Sequence, residues 1–205
     1  SNYITFLGYD IDGNHDEKFK KYWPADVHLI GKDILRFHTL YWPIMLMALG
    51  VPLDFKLYVH GWILNRDGKM SKSRGNSVYP MDLVNRYGID SVRYYLAKEL
   101  PLGNDGLFGY ERFCERYNTE LANDLGNLLS RTVAMIEKYF DGVIPNIGVA
   151  TPYDADLVNV LNESIKETLA CFDGFNLQDA IEATWKLIRR ANKYIDETAP
   201  WALAK

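Results

Sequence analysis

Two lysines and two serines stand together in a short stretch whose side chains can act on a phosphate group. The stretch consists of Lys69, Met70, Ser71, Lys72 and Ser73, and Arg74 and Gly75 follow it. Residues 55–64 before it are rich in β-branched and aromatic types, so we expect a polar loop after a strand. Ammonium groups on such a loop can neutralise charge that builds on phosphate oxygens during nucleotidyl transfer. The plainer alternative is a solvated surface turn, where basic side chains are commonest.

A second group of candidate residues consists of three ring side chains on one expected helix. Phe37, His38 and Trp42 are spaced so that they fall on the same broad side of that helix. One interpretation is a core face with one hydrogen-bonded histidine. The other is a ligand pocket that is lined by these rings. Directly before the helix, Asp33 is typical of an N-cap, and Lys32 beside it is either solvated or in contact with phosphate.

The elements that must position these side chains are short and mixed up to residue 110, because five prolines interrupt that part of the chain. Residues 27–30 form a β-type run that ends at Gly31. A helix is expected from Asp33 to Leu49, with a kink at Pro43. With the strand at residues 55–64, this order predicts an α/β unit that contains a parallel strand pair.

From residue 110 onward the apolar residues recur at helical spacing. The stripes include Phe113, Tyr117, Leu121 and Leu125, then Leu157, Leu161, Ile165, Leu169 and Phe172, and finally Ile181, Trp185, Ile188 and Ile195. Three or more amphipathic helices joined by short loops predict an antiparallel bundle.

The helical part also carries side chains that suit RNA. Asn127 and Arg131 share one helix face and can hydrogen-bond base edges, while Trp201 can stack on an unpaired base. Alternatively, the two polar residues are simply solvated and Trp201 closes the bundle. Lys186, Arg190 and Lys193 form a basic face that either meets an RNA backbone or is only hydrated.

Composition excludes several classes of protein. With 48% hydrophobic and 24% charged residues, the chain is typical of a soluble globular protein. A net charge of −4 argues against a globally basic nucleic-acid coat, so polyanion binding must be local.

The longest apolar run, residues 42–49, is too short to cross a bilayer, so no membrane partner is predicted. Two cysteines cannot build a disulfide framework or a multi-cysteine zinc site, so we expect a reducing, cytoplasmic setting. Because the sequence starts at Ser1 and not at a methionine, we expect it to be a piece of a longer chain.

Several stretches together resemble the class I aminoacyl-tRNA synthetases of the methionyl type. They are residues 27–33, Arg36 to His38, Trp42 with Pro43, residues 69–76, residues 122–131 and residues 196–201. The resemblance implies α/β followed by all-α architecture: the C-terminal half of a Rossmann-type class I catalytic domain and an antiparallel helix-bundle anticodon-binding domain. The expected boundaries are 1–64 for the catalytic half, 65–110 for the lysine-serine loop and connecting region, and 111–205 for the helical domain.

The resemblance also implies roles for particular residues. Lys72, with Lys69 and Ser71, is implied to be catalytic by stabilising the pyrophosphate end of ATP. Contacts to ATP or the adenylate are implied for Gly31, Lys32, Asp33, His60, Gly61, Trp62, Ile63, Met70 and Ser73. Tyr3, Phe37, His38 and Trp42 match the methionine pocket, and Asn127, Arg131 and Trp201 match the residues that read the anticodon.

The implied activity is ATP-dependent attachment of methionine to tRNA(Met), with methionine, ATP, Mg²⁺ and the tRNA as substrates and partners. The first class I signature motif and the zinc knuckle are not in this sequence, so no zinc site is predicted. This chain alone is therefore not expected to form methionyl-adenylate. Two alternatives stay open at this point. One is a related synthetase for isoleucine, valine, leucine or cysteine, and the other is a non-catalytic tRNA-binding module.

Overall fold

A computed structural model describes residues 2–66, 68–70, 75, 77–99, 103–144 and 148–203. The chain forms two compact units. Unit 1 comprises Ser1–Trp62 and Leu102–Asp105, and unit 2 comprises Ile63–Pro101 and Gly106–Lys205. In the described part of the chain, no helix is both long and apolar enough to span a membrane.

Unit 1 is built around a parallel pair of strands. Its elements are α1 (Asn2–Leu7), α2 (Glu17–Tyr22), β1 (Val27–Gly31), a 3₁₀ turn (Lys32–Ile34), a π-helical stretch (Phe37–Tyr41), α3 (Trp42–Ala48) and β2 (Lys56–His60). Strands β1 and β2 pair in register from Val27 opposite Lys56 to Gly31 opposite His60. The predicted parallel pair is therefore confirmed.

The core of unit 1 is small and lies where α1, α2 and α3 meet. Its buried residues are Ile4, Leu7, Phe19, Leu46 and Val51, and Leu46 is wholly buried. Partly buried rings close over this cluster, namely Tyr9, Trp23, Trp42 and Phe55. Trp42 thus contributes to the core as well as to the candidate site.

The expected helix from Asp33 to Leu49 is wrong in its details. Gly31 precedes the 3₁₀ turn and Asp33 lies inside it, so Asp33 does not cap a helix. Before α3 the chain is π-helical, and Trp42 N–H donates to the carbonyl of Phe37, five residues back. Proline at the second position of α3 has no N–H, so it cannot bond the carbonyl of Thr39. Pro43 therefore follows directly on the π-helical stretch, at the start of α3.

The expected single strand at residues 55–64 is also wrong, because it is interrupted after His60. A Cβ on Gly61 would lie 1.9 Å from the carbonyl oxygen of Asn104, so only glycine fits there. Trp62 N–H donates to the Asp105 carboxylate at 2.9 Å and not to a neighbouring strand. The close approach of residues 104–105 therefore ends β2.

Unit 2 contains a three-stranded sheet and most of the helices. Its elements are β3 (Ile63–Asn65), β4 (Gly68–Lys69), α4 (Pro80–Tyr87), α5 (Ile89–Glu99), β5 (Gly106–Leu107), α6 (Tyr110–Arg116), a π-helical stretch (Tyr117–Gly126), α7 (Asn127–Phe140), α8 (Asp154–Asp173), α9 (Leu177–Thr198) and α10 (Pro200–Leu203). Strand β3 lies between β4, which is antiparallel to it, and β5, which is parallel. The buried cluster consists of Leu83, Val92, Tyr95, Phe108 and Phe113.

The packing between α8 and α9 uses small side chains. Ser164, Ala180 and Ala183 are almost fully buried, and the Thr168 hydroxyl lies 3.4 Å from the Ala180 carbonyl oxygen, to which it donates. By contrast, the predicted apolar stripe of α8 is 38% to 59% exposed at Leu161, Ile165, Leu169 and Phe172. Helical spacing thus predicts the helix correctly but not the face that packs, since small residues carry little hydrophobic signal.

A buried ionic group connects the first helices of unit 2. The Glu99 carboxylate is nearly buried and accepts from Arg112 Nε at 2.5 Å and from Arg116 Nε at 2.6 Å. Arg116 also pairs with Glu120, which accepts a hydrogen bond from the Tyr94 hydroxyl. Burial and that hydrogen bond raise the pKa of Tyr94. Each buried carboxylate in this group is matched by a donor, as desolvated charges require.

The core of unit 2 should be sensitive to a cavity at Phe113. Phe113 is 1% exposed and Phe140 is 46% exposed, and both lie on helices of this unit. We expect Phe113→Ala to lower the free energy of unfolding by about 3–5 kcal/mol, whereas Phe140→Ala changes it by less than about 1 kcal/mol. Urea denaturation followed by circular dichroism measures both. Equal losses for the two variants would contradict the assignment of the core.

Candidate functional site

The carboxyl ends of β1 and β2 lie side by side in unit 1. Because the strands are parallel, Gly31 and His60 are paired at this edge, and the 3₁₀ turn with Lys32 and Asp33 follows at once. A Cβ on Gly31 would lie 2.5 Å from Asp33 Oδ1, so the carboxylate rests against the glycine. In open parallel sheets, ligands bind at this edge. The structure therefore brings Gly31, Lys32, Asp33 and His60 together.

An ion pair that the sequence did not reveal closes this edge. The Lys32 ammonium lies 2.5 Å from Asp105 Oδ1, and its distance to the Trp62 ring centroid is 4.1 Å. The hydrogen bonds from Lys32 and from Trp62 N–H hold the pKa of Asp105 below its usual range. Asp105 is 73 residues from Lys32, so no local spacing pattern relates the two.

The four residues predicted to bind methionine line one cavity of about 300 Å³ in unit 1. Tyr3, Phe37, His38 and Trp42 are joined there by His28, Tyr41 and Met45. His38 Nδ1 lies 3.0 Å from the Ile34 carbonyl oxygen, to which it donates. The wall is thus aromatic, with few polar atoms, which suits an apolar ligand.

His28 is a cavity residue that motif reasoning missed. Its ring meets the Phe55 ring edge-on at 4.5 Å, and Tyr3 lies edge-on at 5.7 Å. Among the described residues its buried Nε2 has no hydrogen-bond partner. Burial, with a smaller contribution from His38, lowers the pKa of His28, so the ring is neutral near pH 7. Only its place in β1, five residues before Asp33, could have drawn attention to it.

The lysine-serine loop begins in unit 2. Lys69 is the last residue of β4 and pairs with Leu64. Met70 is partly buried against the cluster that contains Leu83, which anchors the start of the loop. Ser71, Lys72 and Ser73 lie outside the described residues. Ile63 is in β3 of the same unit and is 41% exposed.

A polar cavity of about 410 Å³ in unit 2 contains two of the three predicted anticodon residues. It is lined by Asn123, Asp124, Asn127, Arg131, Arg189, Asn192, Lys193 and Asp196. Arg131 Nη2 lies 2.6 Å from Asp196 Oδ1, and its guanidinium lies 5.7 Å from the centroid of the Trp201 ring. Trp201 is 45% exposed, so part of the residue is open to solvent. The structure therefore groups Asn127, Arg131 and Trp201.

The basic face of α9 is neutralised by acidic neighbours. Arg190 is nearly buried and pairs with Asp156 and, at 3.0 Å, with Glu197. Lys193 lies 3.5 Å from Glu197 as well. Across the described ranges, no three His, Cys, Asp or Glu side chains are arranged to hold a metal ion.

A family model for the class I tRNA synthetases (M) matches residues 1–133 of the chain, which is more than half of it. The chain belongs to the class I (M) tRNA synthetases. Curated relatives of this family include the methionine--tRNA ligases of Halalkalibacterium halodurans, at 59% identity, and Bacillus subtilis, at 57% identity. Each match covers 100% of this chain and 31% of the relative, so the chain spans about a third of their length.

Solved structures agree with the class I tRNA synthetase fold. A crystal structure of Mycobacterium tuberculosis methionyl-tRNA synthetase bound by methionyl-adenylate matches with a TM-score of 0.89 and 44% identity. That match covers 100% of this chain and 40% of the other. The apo form of the same synthetase matches with a TM-score of 0.85. In this class I (M) synthetase chain, the described elements are mostly helical and the parallel pairing is confined to small sheets.

Protonation of His28 should weaken unit 1. Its pKa is lowered in the folded chain, so the unfolded state binds the proton more readily, and stability falls as pH decreases through about 6.5 towards the lowered value. We expect His28→Gln to reduce this loss by less than about 1.4 kcal/mol per pH unit, since solvent screens a partly exposed ring.

Urea denaturation at pH 7, 6 and 5 measures the effect. His28→Phe, which cannot titrate either, should show the same reduced dependence on pH as His28→Gln. A dependence in both variants as steep as in the unmodified protein would show that another group is responsible.

Proposed function

We propose that this chain serves in an intact enzyme that attaches methionine to tRNA(Met) through a methionyl-adenylate. The observation that carries the proposal is the aromatic cavity in unit 1, where the four residues expected to bind methionine lie together. The bound methionyl-adenylate of the Mycobacterium tuberculosis relative supports it, because that chain is 44% identical over the whole of this one.

Methionine recognition in this proposal depends on shape and on contact between the sulfur and aromatic rings. Phe37, Trp42 and Tyr3 supply ring surface for the unbranched thioether chain. The sulfur of such a chain makes favourable contacts with aromatic rings. His38 is held by the Ile34 carbonyl, so its ring cannot turn freely. A cavity of about 300 Å³ accommodates a side chain of this size and the start of the adenylate.

The nucleotide is proposed to bind at the carboxyl ends of β1 and β2. Asp33 would accept a hydrogen bond from a ribose hydroxyl, and the main chain of Gly61, Trp62 and Ile63 would lie against adenine. Gly31, Lys32, His60, Met70 and Ser73 complete the proposed contacts. ATP would enter with Mg²⁺, and Lys72, with Lys69 and Ser71, would face its phosphates.

The proposed reaction has two steps. The methionine carboxylate attacks the α-phosphate of ATP, the bond to the β-phosphate breaks, and pyrophosphate leaves. A hydroxyl of the terminal tRNA ribose then attacks the methionyl carbonyl, and AMP leaves. Negative charge grows on the departing pyrophosphate in the first step, and the Lys72 ammonium would stabilise it there.

We propose that the helical part reads the anticodon. In this proposal, residues 1–64 are the catalytic half, residues 65–110 are the loop and connection, and residues 111–205 form an antiparallel helix bundle. Asn127 and Arg131 would bond base edges and Trp201 would stack on a base. The grouping of the three supports this role, since Arg131 lies near both the Trp201 ring and Asp196.

Methionine-dependent exchange of pyrophosphate into ATP tests the activation step. We expect the intact enzyme to catalyse it with methionine and not with isoleucine, valine, leucine or cysteine. Lys72→Met should lower the exchange rate by about 10²–10³-fold, because a donor to the developing charge is lost. Lys18→Met, at an exposed lysine of α2, is the matched control and should leave the rate unchanged. Exchange driven by isoleucine in place of methionine would overturn the assignment.

Binding of an anticodon stem-loop tests the reading residues. Arg131→Met should weaken binding of a stem-loop with the anticodon CAU by about tenfold or more, and should reduce its preference over one with a changed first base. Lys138→Met, at an exposed lysine of the same helix α7, is the control for general charge and should keep the preference. If Arg131→Met discriminates the two stem-loops as well as the unmodified enzyme does, the proposed base contact is wrong.

A further inference from the structure

Asp105 holds together two segments that are far apart in the chain. The Lys32 ammonium donates to it, at 2.5 Å from Oδ1 and 2.6 Å from Oδ2, and Trp62 N–H donates to Oδ1 at 2.9 Å. Both carboxylate oxygens are therefore in use. Hydrogen bonds to a charged acceptor are stronger than those between neutral groups. The Asp105 carboxylate accepts from a side chain and from a main-chain group at once.

The segment that carries Asp105 is seated closely against the end of β2. Gly61 meets the Asn104 carbonyl at a distance that no Cβ would tolerate, and Trp62 comes next in the chain. Trp62 N–H would otherwise have to find another acceptor, since β2 ends at His60. The conformation of Gly61 and Trp62 thus depends on residues 104–105 and not on the strand ladder.

Lys32 is held from two sides at the carboxyl end of β1. Its ammonium has the Asp105 carboxylate on one side and the Trp62 ring, at 4.1 Å from the centroid, on the other. The side chains of Lys32 and Asp105 are 35% and 32% exposed, so a ligand at this edge can reach the lysine. Asp105 therefore sets where this positive charge stands relative to Asp33 and Gly31.

We infer that Asp105 is a positioning residue for the nucleotide half of the site. It fixes the Trp62 main chain and orients Lys32, and it does so without touching the nucleotide. The inference rests on the proposed function, because it takes the ends of β1 and β2 as the place where ATP binds. No residue of the aromatic cavity takes part in the Asp105 contacts, so methionine binding should not depend on them.

Variants of Asp105 and Lys32 in the intact enzyme test this role. Asp105→Ala removes both sets of hydrogen bonds, and we expect it to raise KM for ATP about tenfold. KM for methionine and kcat should stay within about twofold, because the loss concerns nucleotide binding in both ground and transition state. Asp105→Asn keeps an oxygen that accepts from Trp62 N–H, so it should raise KM for ATP by only about threefold.

Lys32→Met shows whether the two residues act together. It keeps an apolar stem against the indole and removes the ammonium. If Asp105 works partly through Lys32, the effect of Lys32→Met on KM for ATP should be smaller in the Asp105→Ala background than alone. Asp12→Ala removes an exposed carboxylate of the same unit and should change neither KM. Thermal denaturation of each variant accompanies the kinetics.

The outcomes separate this inference from the proposed function. Kd for ATP, measured by calorimetry without methionine, does not require catalysis. If exchange with methionine is absent but Asp105→Ala weakens ATP binding about tenfold, the proposed function fails and the positioning role stands. If exchange is present and ATP binding is unchanged in Asp105→Ala and Asp105→Asn, the inference is overturned. It is likewise overturned if KM for ATP and for methionine rise together with a lowered Tm, because that pattern marks a purely structural bond. Should Asp105→Ala not fold, Asp105→Asn decides the question by the same criteria.

Discussion

Parallel pairing of β1 with β2 is the constraint on which the candidate site depends. It places Gly31 beside His60, so the turns that follow the two strands leave the sheet at the same edge. The proposed nucleotide contacts in unit 1 are these two residues and those that directly follow them in the chain. Only two strands provide this edge, and side chains from elsewhere in unit 1 therefore have to complete it. Asp105 does so by charge, and Gly61 makes room for the segment that carries it.

The two sides of the site in unit 1 differ in the forces that hold them. The aromatic cavity is formed by ring contacts, such as those of His28 with Phe55 and Tyr3, and His28 is kept neutral by burial. The strand ends are held by an ion pair and a charge-assisted hydrogen bond around Asp105. One side of the site is therefore mostly apolar, and the other is charged. The separation explains why a change in one side should leave the other largely intact.

Sequence patterns predicted the parallel pair, the long helices after residue 110 and the grouping of Phe37, His38 and Trp42. Those features depend on local periodicity and on side-chain type, which can be read along the chain. The patterns failed at the exact backbone geometry of a turn and where a distant residue decides the local structure. Asp33 does not cap a helix because the turn after Gly31 is 3₁₀, and the strand stops at His60 because Asn104 and Asp105 arrive there. His28 and Asp105 were missed for the same reason, since three-dimensional neighbours alone give them a role. The packing of α8 was missed because Ser164 and Thr168 carry no apolar signal.

The π-helical stretch Phe37–Tyr41 has a consequence for how the cavity wall is specified. Such a stretch holds one residue more per turn than the helix around it, and each residue of an α-helix turns the chain by about 100°. His38 lies inside the stretch, whereas Trp42 and Met45 lie beyond it, yet all three face one cavity. The composition of the wall is thus fixed by residue count as well as by residue type. If the stretch were one residue shorter, every side chain of the wall would still be present. Trp42 and Met45 would nevertheless point in a different direction from His38.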